Sequence, residues 1–274
     1  MRPEVSVRHV LARALLIVAG ILEPAIGYAQ QSTAGPSSTS VLLAGLHSAN
    51  WEERANAYGQ LRADKSALSR QDVRRSLLDL LDREDKLMQS GLRGRGAAVN
   101  VDDTYGEAFD IYVAELGETV ASFADWTDSN QVCILVQQAF HPESPFAAKL
   151  ATQGKVVADC LIQMYRNRSM GHFRSQAPPV LAEMLWARSQ SRLDVATSRA
   201  ARGVILTALQ DSDEWVRSET VTALGKVAGA DMIPALEQVA ATDPAIDNVD
   251  HSFWIRRLAA VAIADIRKRS QPLQ

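Results

Sequence analysis

"LQDSDEWVRSETVTALGKVAG", residues 209–229, decides the fold. Asp213 offers a side-chain oxygen to the unpaired amides of a helix's first turn, and the residues after it are apolar at helical spacing. Moved on by 39 residues, the stretch falls on "DHSFWIRRLAAVAIADI", residues 250–266. Asp211 meets Asp250, Asp213 meets Ser252, Trp215 meets Trp254, Val216 meets Ile255, and Arg217 meets Arg256. Further along, Leu224 meets Ile263, Gly225 meets Ala264 and Val227 meets Ile266.

In the second copy Ile255, Leu258, Ala259, Ala262, Ile263 and Ile266 make one apolar stripe, which must face a core. Ser252 takes the N-cap place held by Asp213. Gly225 and Ala264 sit where a neighbouring helix would need to come close. A third copy lies near the start, "NWEERANAYGQL", with Arg54, Tyr58 and Leu61 on Arg217, Val221 and Leu224. Arg54 precedes Arg217 by 163 residues, near four periods of about 40.

Outward from these copies the periodicity is helical almost throughout, with no alternating run that would make a strand. Helices are expected over Trp51–Ala63, Arg70–Gln89, Tyr105–Ala124, Ser129–Phe140 and Phe146–Arg168. Others are expected over Pro179–Ser189, Val195–Gln210, Glu214–Ala228, Asp231–Ala241 and Phe253–Arg269. Short connections make them antiparallel neighbours. The fold class is all-α. "SGLRGRGAAVNVDD", residues 90–103, interrupts the pattern as the core of a loop insertion over 90–104, long enough to be either functional or disordered.

"DSDEWVRSETVTALGKV" and "DHSFWIRRLAAVAIADI" resemble HEAT repeats, especially the short HEAT-like type also found in phycobilisome bilin lyases. The shared pattern is an acidic turn, an apolar-Arg pair and a small-residue helix. The resemblance implies an α-α superhelix, a HEAT-like solenoid of antiparallel helix pairs, over residues 41–270, with a degenerate middle at 105–190. It covers the scaffold pattern and no catalytic residue, so it implies no lyase activity. It also implies that Asp211 with Arg217, and Asp250 with Arg256, hold turns and successive helices in register, as structural positions beside Arg54, Trp215, Trp254 and Gly225. The plainer alternative for each pair is a capping carboxylate and an exposed arginine.

The N-terminus speaks to compartment. Arg2, Arg8 and Arg13 precede an apolar run from Ala14 to Leu22, and Gly27 and Ala29 stand at the −3 and −1 places before Gln30. This order describes a signal peptide over residues 1–29, followed by a disordered linker, 30–40, of small polar residues. The alternative is a first amphipathic helix. The run is shorter than the roughly 20 residues a bilayer span needs, and no later segment is apolar enough for one. A periplasmic or secreted protein is expected. The full chain has 29 basic and 32 acidic residues; the chain from Gln30 has 26 and 30. A mildly acidic protein lacks the footprint that draws nucleic acid. Cys133 and Cys160, the only cysteines, either bridge, as export allows, or serve as small buried hydrophobes.

Enzyme signatures are few: there is no G-x-S-x-G elbow, no H-E-x-x-H, no phosphate loop and no paired C-x-x-C. His47, His141, His172 and His251 are scattered among turns without a partner at metal-ligand spacing. Gly91, Gly94 and Gly96 with Arg93 and Arg95 suit an anion but follow no strand. Two acidic clusters, Asp102, Asp103 and Glu107, and Asp243, Asp247 and Asp250, do not match a calcium loop. "YRNRSMGHFRS", residues 165–175, interleaves Arg166, Arg168 and Arg174 with Tyr165 and Phe173. These arginines and Phe173 are candidates for gripping an acidic partner, against the alternative of a solvated helix end. Stacked helix pairs leave an extended surface that binds proteins or peptides. The expected function is therefore an exported scaffold or adaptor with no catalysis and no cofactor. The alternative is an enzyme or enzyme-accessory protein with its site within residues 90–175, converging on Asp102, Asp103, His141 or His172.

Overall fold

A computed structural model describes residues 39–89, 103–138, 145–186, 193–247 and 252–271. Outside the described residues lie the expected signal peptide, most of the expected linker, the Gly91–Gly96 motif, Asp102, His141, Asp250 and His251. So do the side chains of Asp103, Glu107, His172 and Phe173.

The described residues form thirteen α-helices and no strand. The first six are α1 (Thr39–Gly45), α2 (Trp51–Ala63), α3 (Lys65–Ser69), α4 (Gln71–Gln89), α5 (Asp103–Phe123) and α6 (Ser129–Leu135). Then come α7 (Pro145–Ala151), α8 (Lys155–Arg166), a 3-10 stretch Arg168–Gln176, and α9 (Ala177–Trp186). The last four are α10 (Val195–Ala208), α11 (Glu214–Val227), α12 (Ile233–Thr242) and α13 (Trp254–Ser270). Starts follow local chemistry. Asn50, Asp64, Asp128, Asp194 and Asp213 each accept a first-turn amide on their side chains, satisfying donors that have no partner inside the helix.

Several sequence expectations are corrected. Phe146–Arg168 is two helices, because Gly154 adopts φ 80° between α7 and α8, a conformation that only glycine takes without strain. Thr39 and Ser40 belong to α1 rather than to a linker, and α5 begins at Asp103, inside the expected loop. The N-cap of α13 is Phe253, which supplies no side-chain bond; Ser252 instead accepts the Asp247 amide on its carbonyl. Ala264 is exposed, so it does not share the role of Gly225.

Packing proceeds from neighbour to neighbour. α4 packs on α5 and α6, α6 on α8, α8 on α9 and α10, and then α9, α11 and α13 stack directly. One apolar cluster runs the whole way, from Leu46 through Leu77, Leu116, Leu135, Leu161, Leu181 and Leu224 to Ile266. The neighbour-to-neighbour order of these contacts is that of a repeat stack, in which each unit is completed by the next. At Gly225 a Cβ would lie 3.0 Å from Ala262 Cβ and 3.1 Å from its Cα. The missing side chain is what lets α11 and α13 approach. A disulfide joins Cys133 in α6 to Cys160 in α8, deciding between the two sequence alternatives for these cysteines.

Candidate functional site: the edge where the stacked helices begin

Arg174 lies just before α9, Arg217 in the first turn of α11, and Arg256 in the first turn of α13. These three helices stack, so their N-terminal ends share an edge of the molecule.

Arg217 is buried there. Its Nη1 donates to the carbonyls of Asp211 (2.8 Å) and Ser212 (3.3 Å), while Nε and Nη2 grip the Asp243 carboxylate at 2.7 and 3.1 Å. One guanidinium thus holds the turn before its own helix and the turn before the next. Arg54 repeats this geometry in α2. Its Nη1 donates to the carbonyls of Ser48 and Ala49, both at 3.0 Å, and its Nε and Nη2 grip Glu84 at 2.5 and 2.7 Å. Burial disfavours the Arg54 charge, but the Glu84 hydrogen bond and charge more than offset it and raise its pKa. The turns correspond as well. Ser48 Oγ accepts the Asn50 amide, Asp211 Oδ1 the Asp213 amide and Asp243 Oδ1 the Ala245 amide.

The partner of Asp211 in the next turn is therefore Asp243. The 39-residue shift placed Asp250 there, because the connection from Asp243 to Arg256 is seven residues longer than that from Asp211 to Arg217. Arg217 and the Ala245 amide occupy the Asp243 carboxylate.

Arg174 is corrected too. Expected to face a partner, it is 4% exposed and inward. Both its terminal nitrogens donate to Asp211, Nη1 at 2.5 Å, and the Tyr165 ring lies beneath it at 5.6 Å. Asp211 also accepts from Tyr165 Oη at 3.0 Å and from Arg168 Nη1 at 3.0 and 3.3 Å. Burial pushes this carboxyl's pKa up. The Arg174 bond, the Asp213 amide and the Tyr165 hydroxyl outweigh that and hold it well below the usual carboxylate range. Tyr165 moves oppositely, pushed up to about 12 by burial and then by Asp211. Arg168 keeps a largely exposed side chain while touching Asp211, and Arg166 is exposed.

Arg174 to Asp211 and Arg217 to Asp243 are successive rungs along the stack. The sequence held a signal for the first that went unread: Phe173–Arg174 is an apolar-Arg pair 43 residues before Val216–Arg217.

Outside the rungs the edge is aromatic. Trp215 and Trp254, equivalent positions of α11 and α13, meet edge to face with centroids 6.4 Å apart. Trp215 is nevertheless 58% exposed and Phe253 39%. Arg256 lies over the Phe253 ring at 3.8 Å. By contrast Trp51 is buried against Phe109 and Tyr112, and Trp126 and Trp186 are half-buried beneath Lys149 and Arg202. Tryptophan is seldom left this open unless something else covers it.

The family model of HEAT repeats matches residues 161–250. The match begins inside the stretch expected to be degenerate and contains the Arg174–Asp211 and Arg217–Asp243 rungs. No curated protein matches the chain. HEAT repeats are commonly protein-interaction scaffolds. With HEAT repeats matched over residues 161–250 and the same arginine geometry at Arg54 well outside them, the described residues are all-α and consistent with a HEAT-like repeat protein.

Proposed function

We propose that the chain is an exported adaptor that binds a protein or peptide partner along the edge carrying Trp215, Trp254 and Phe253, without catalysing a reaction. The observation that carries this reading is the exposed Trp215 ring set edge to face against the half-buried Trp254 of the adjacent repeat. Tryptophan and arginine dominate the energetics of protein interfaces, and stacked repeats present such residues in register. Export is supported by the residue order of the N-terminus and by the Cys133–Cys160 bridge, since disulfides persist in oxidising compartments.

A photocrosslinking amino acid in place of Trp254, compared with one at the exposed Val195, tests the binding edge. A discrete, saturable product at 254, absent at 195 and lost with Trp215→Ala, is expected in an extract of the exported fraction. Equal labelling at both positions would remove the assignment. Amino-terminal sequencing of protein recovered from that fraction tests export, with Gln30 expected as the first residue.

A further inference from the structure

The disulfide sits at a joint. Helices α1–α5 make one half, held by the buried Arg54–Glu84 pair, by Tyr112 donating to Glu84 at 3.1 Å and by Trp51 against Phe109. Helices α7–α13 make the other, held by the Arg174–Asp211 and Arg217–Asp243 rungs. α6 is wedged between them, packed on α4 and α5 of the first half and on α8 of the second. It is a seven-residue helix that buries Val132 and Leu135, well short of the roughly 12–15 residues at which a helix begins to hold itself. Cys133, on this helix, ties it to Cys160 of α8. Other contacts across the joint are non-covalent, among them α4 against the 3-10 stretch and Lys149 donating to the Ala121 carbonyl at 3.3 Å. The two sulfurs are unequally placed: Cys160 is 2% exposed, whereas Cys133 is half-buried.

We propose that the Cys133–Cys160 bridge is a redox-sensitive lock on this joint, opened at Cys133 by a dithiol reductant while both halves stay folded. A thiolate of the reductant attacks the Cys133 sulfur and forms a mixed disulfide with it. The Cys133–Cys160 bond breaks, and its electron pair leaves on Cys160, whose sulfur takes a proton. That sulfur lies 3.5 Å from the Ser129 carbonyl, an acceptor for the new thiol. The second thiolate of the reductant then closes the reductant's own disulfide and releases Cys133, which takes a second proton. The protein gains two electrons and two protons, and the reductant is oxidised by the same amount. α6 is then held by Val132 and Leu135 alone among its own buried side chains, so it opens locally, below the stability of the rest. The polar and aromatic networks inside each half have no member on α6, so neither depends on the bridge. Opening the joint lets α1–α5 swing against the stack that carries Trp215. The lock is independent of the binding edge proposed above.

Hydrogen exchange of the intact chain, read by mass spectrometry before and after dithiothreitol at neutral pH, tests the lock. Amides in 129–138 should exchange about a hundredfold faster once reduced, from the entropy of a closure across a sequence separation of 27. Amides in 55–61 and 218–224 should change by less than about twofold. Dyes on unnatural residues at the exposed positions Glu118 and Arg199 should show a broader distance distribution in the reduced chain. Glutathione, a monothiol, should be trapped on Cys133 rather than on Cys160. Cys133→Ser with Cys160→Ser should match the reduced chain and ignore the reductant. Reduction of the natural chain needs no variant, so a folding defect in that double change cannot mask the answer. Unchanged exchange in 129–138 after complete reduction would show that packing alone holds the joint and would overturn the proposal. Protection lost throughout, together with far-UV ellipticity, would assign the bridge to the whole fold and overturn it equally. A bridge that dithiothreitol reduces only after the chain unfolds would remove the lock as well.

Discussion

Replacing Asp211 by asparagine preserves shape and removes only the charge that four groups converge on. Arg174, 4% exposed, would be left without an anion, and the new amide would point donors at a donor. Stranding one member of a buried ion pair costs about 3–5 kcal/mol. Arg168, with a side chain 63% exposed, adds at most about 1 kcal/mol. With a urea slope of about 2–3 kcal/mol/M, the midpoint should fall by about 1–2.5 M, followed by far-UV ellipticity and tryptophan fluorescence at neutral pH. Arg174→Met with Asp211→Asn should be less destabilised than the sum of the single changes by about 1–3 kcal/mol, because the partners are coupled. The pH dependence has a definite sign. The folded-state pKa of Asp211 lies below its unfolded value, so the stabilisation is complete above about pH 4 and is lost as pH falls toward the folded pKa. Asp211→Asn should flatten that acid limb. A single variant within about 1 kcal/mol of wild type, or additivity in the double, would refute the rung as an energetic unit.

Three further outcomes follow from the packing. Gly225→Ala should destabilise by about 1–3 kcal/mol through overpacking on Ala262, whereas Gly203→Ala, which meets nothing within 4 Å in α10, should stabilise by about 0.5–1 kcal/mol; thermal melts of the two separate contact from propensity. Cys133→Ala with Cys160→Ala opens a bridge across a sequence separation of 27, and loop entropy puts the loss at roughly 3–4 kcal/mol in a urea titration. Glu84→Gln should cost about 3–5 kcal/mol by stranding the buried Arg54, and an unchanged midpoint would show that the α2–α4 joint is held by apolar packing alone.

What was legible in the sequence was local. Apolar spacing, Asp213 as a cap, and the Arg54–Arg217 correspondence all depend on residues within one or two turns, and each reappears in the structure. What was illegible was pairing at a distance. Arg174 looked like part of a solvated basic run because nothing nearby announces Asp211, 37 residues on. Glu84 lies 30 residues beyond Arg54, one of five acids in a helix dense with charge, and nothing local marks it as the buried one. Gly154 was missed for another reason: apolar residues on both sides kept helical phase across it, and phase says nothing about a positive φ.

The misplacement of Asp250 shows why rigid alignment fails at joints while succeeding inside helices. A stacked helix is fixed by the seam it buries, and the carboxylate by the distance an arginine can reach. The loop between them is held by neither constraint, so it can lengthen without moving either end. The turn motif travels with the carboxylate, as the amide bonds at Asp211 and Asp243 show, while the cap travels with the helix. In α11 the two are separated by one residue, and one short acidic stretch serves both; before α13 they are separated by nine. A repeat is thus better located by the arginine at the start of its stacked helix than by a constant period, and by that criterion Arg54, Arg174, Arg217 and Arg256 are all repeat arginines.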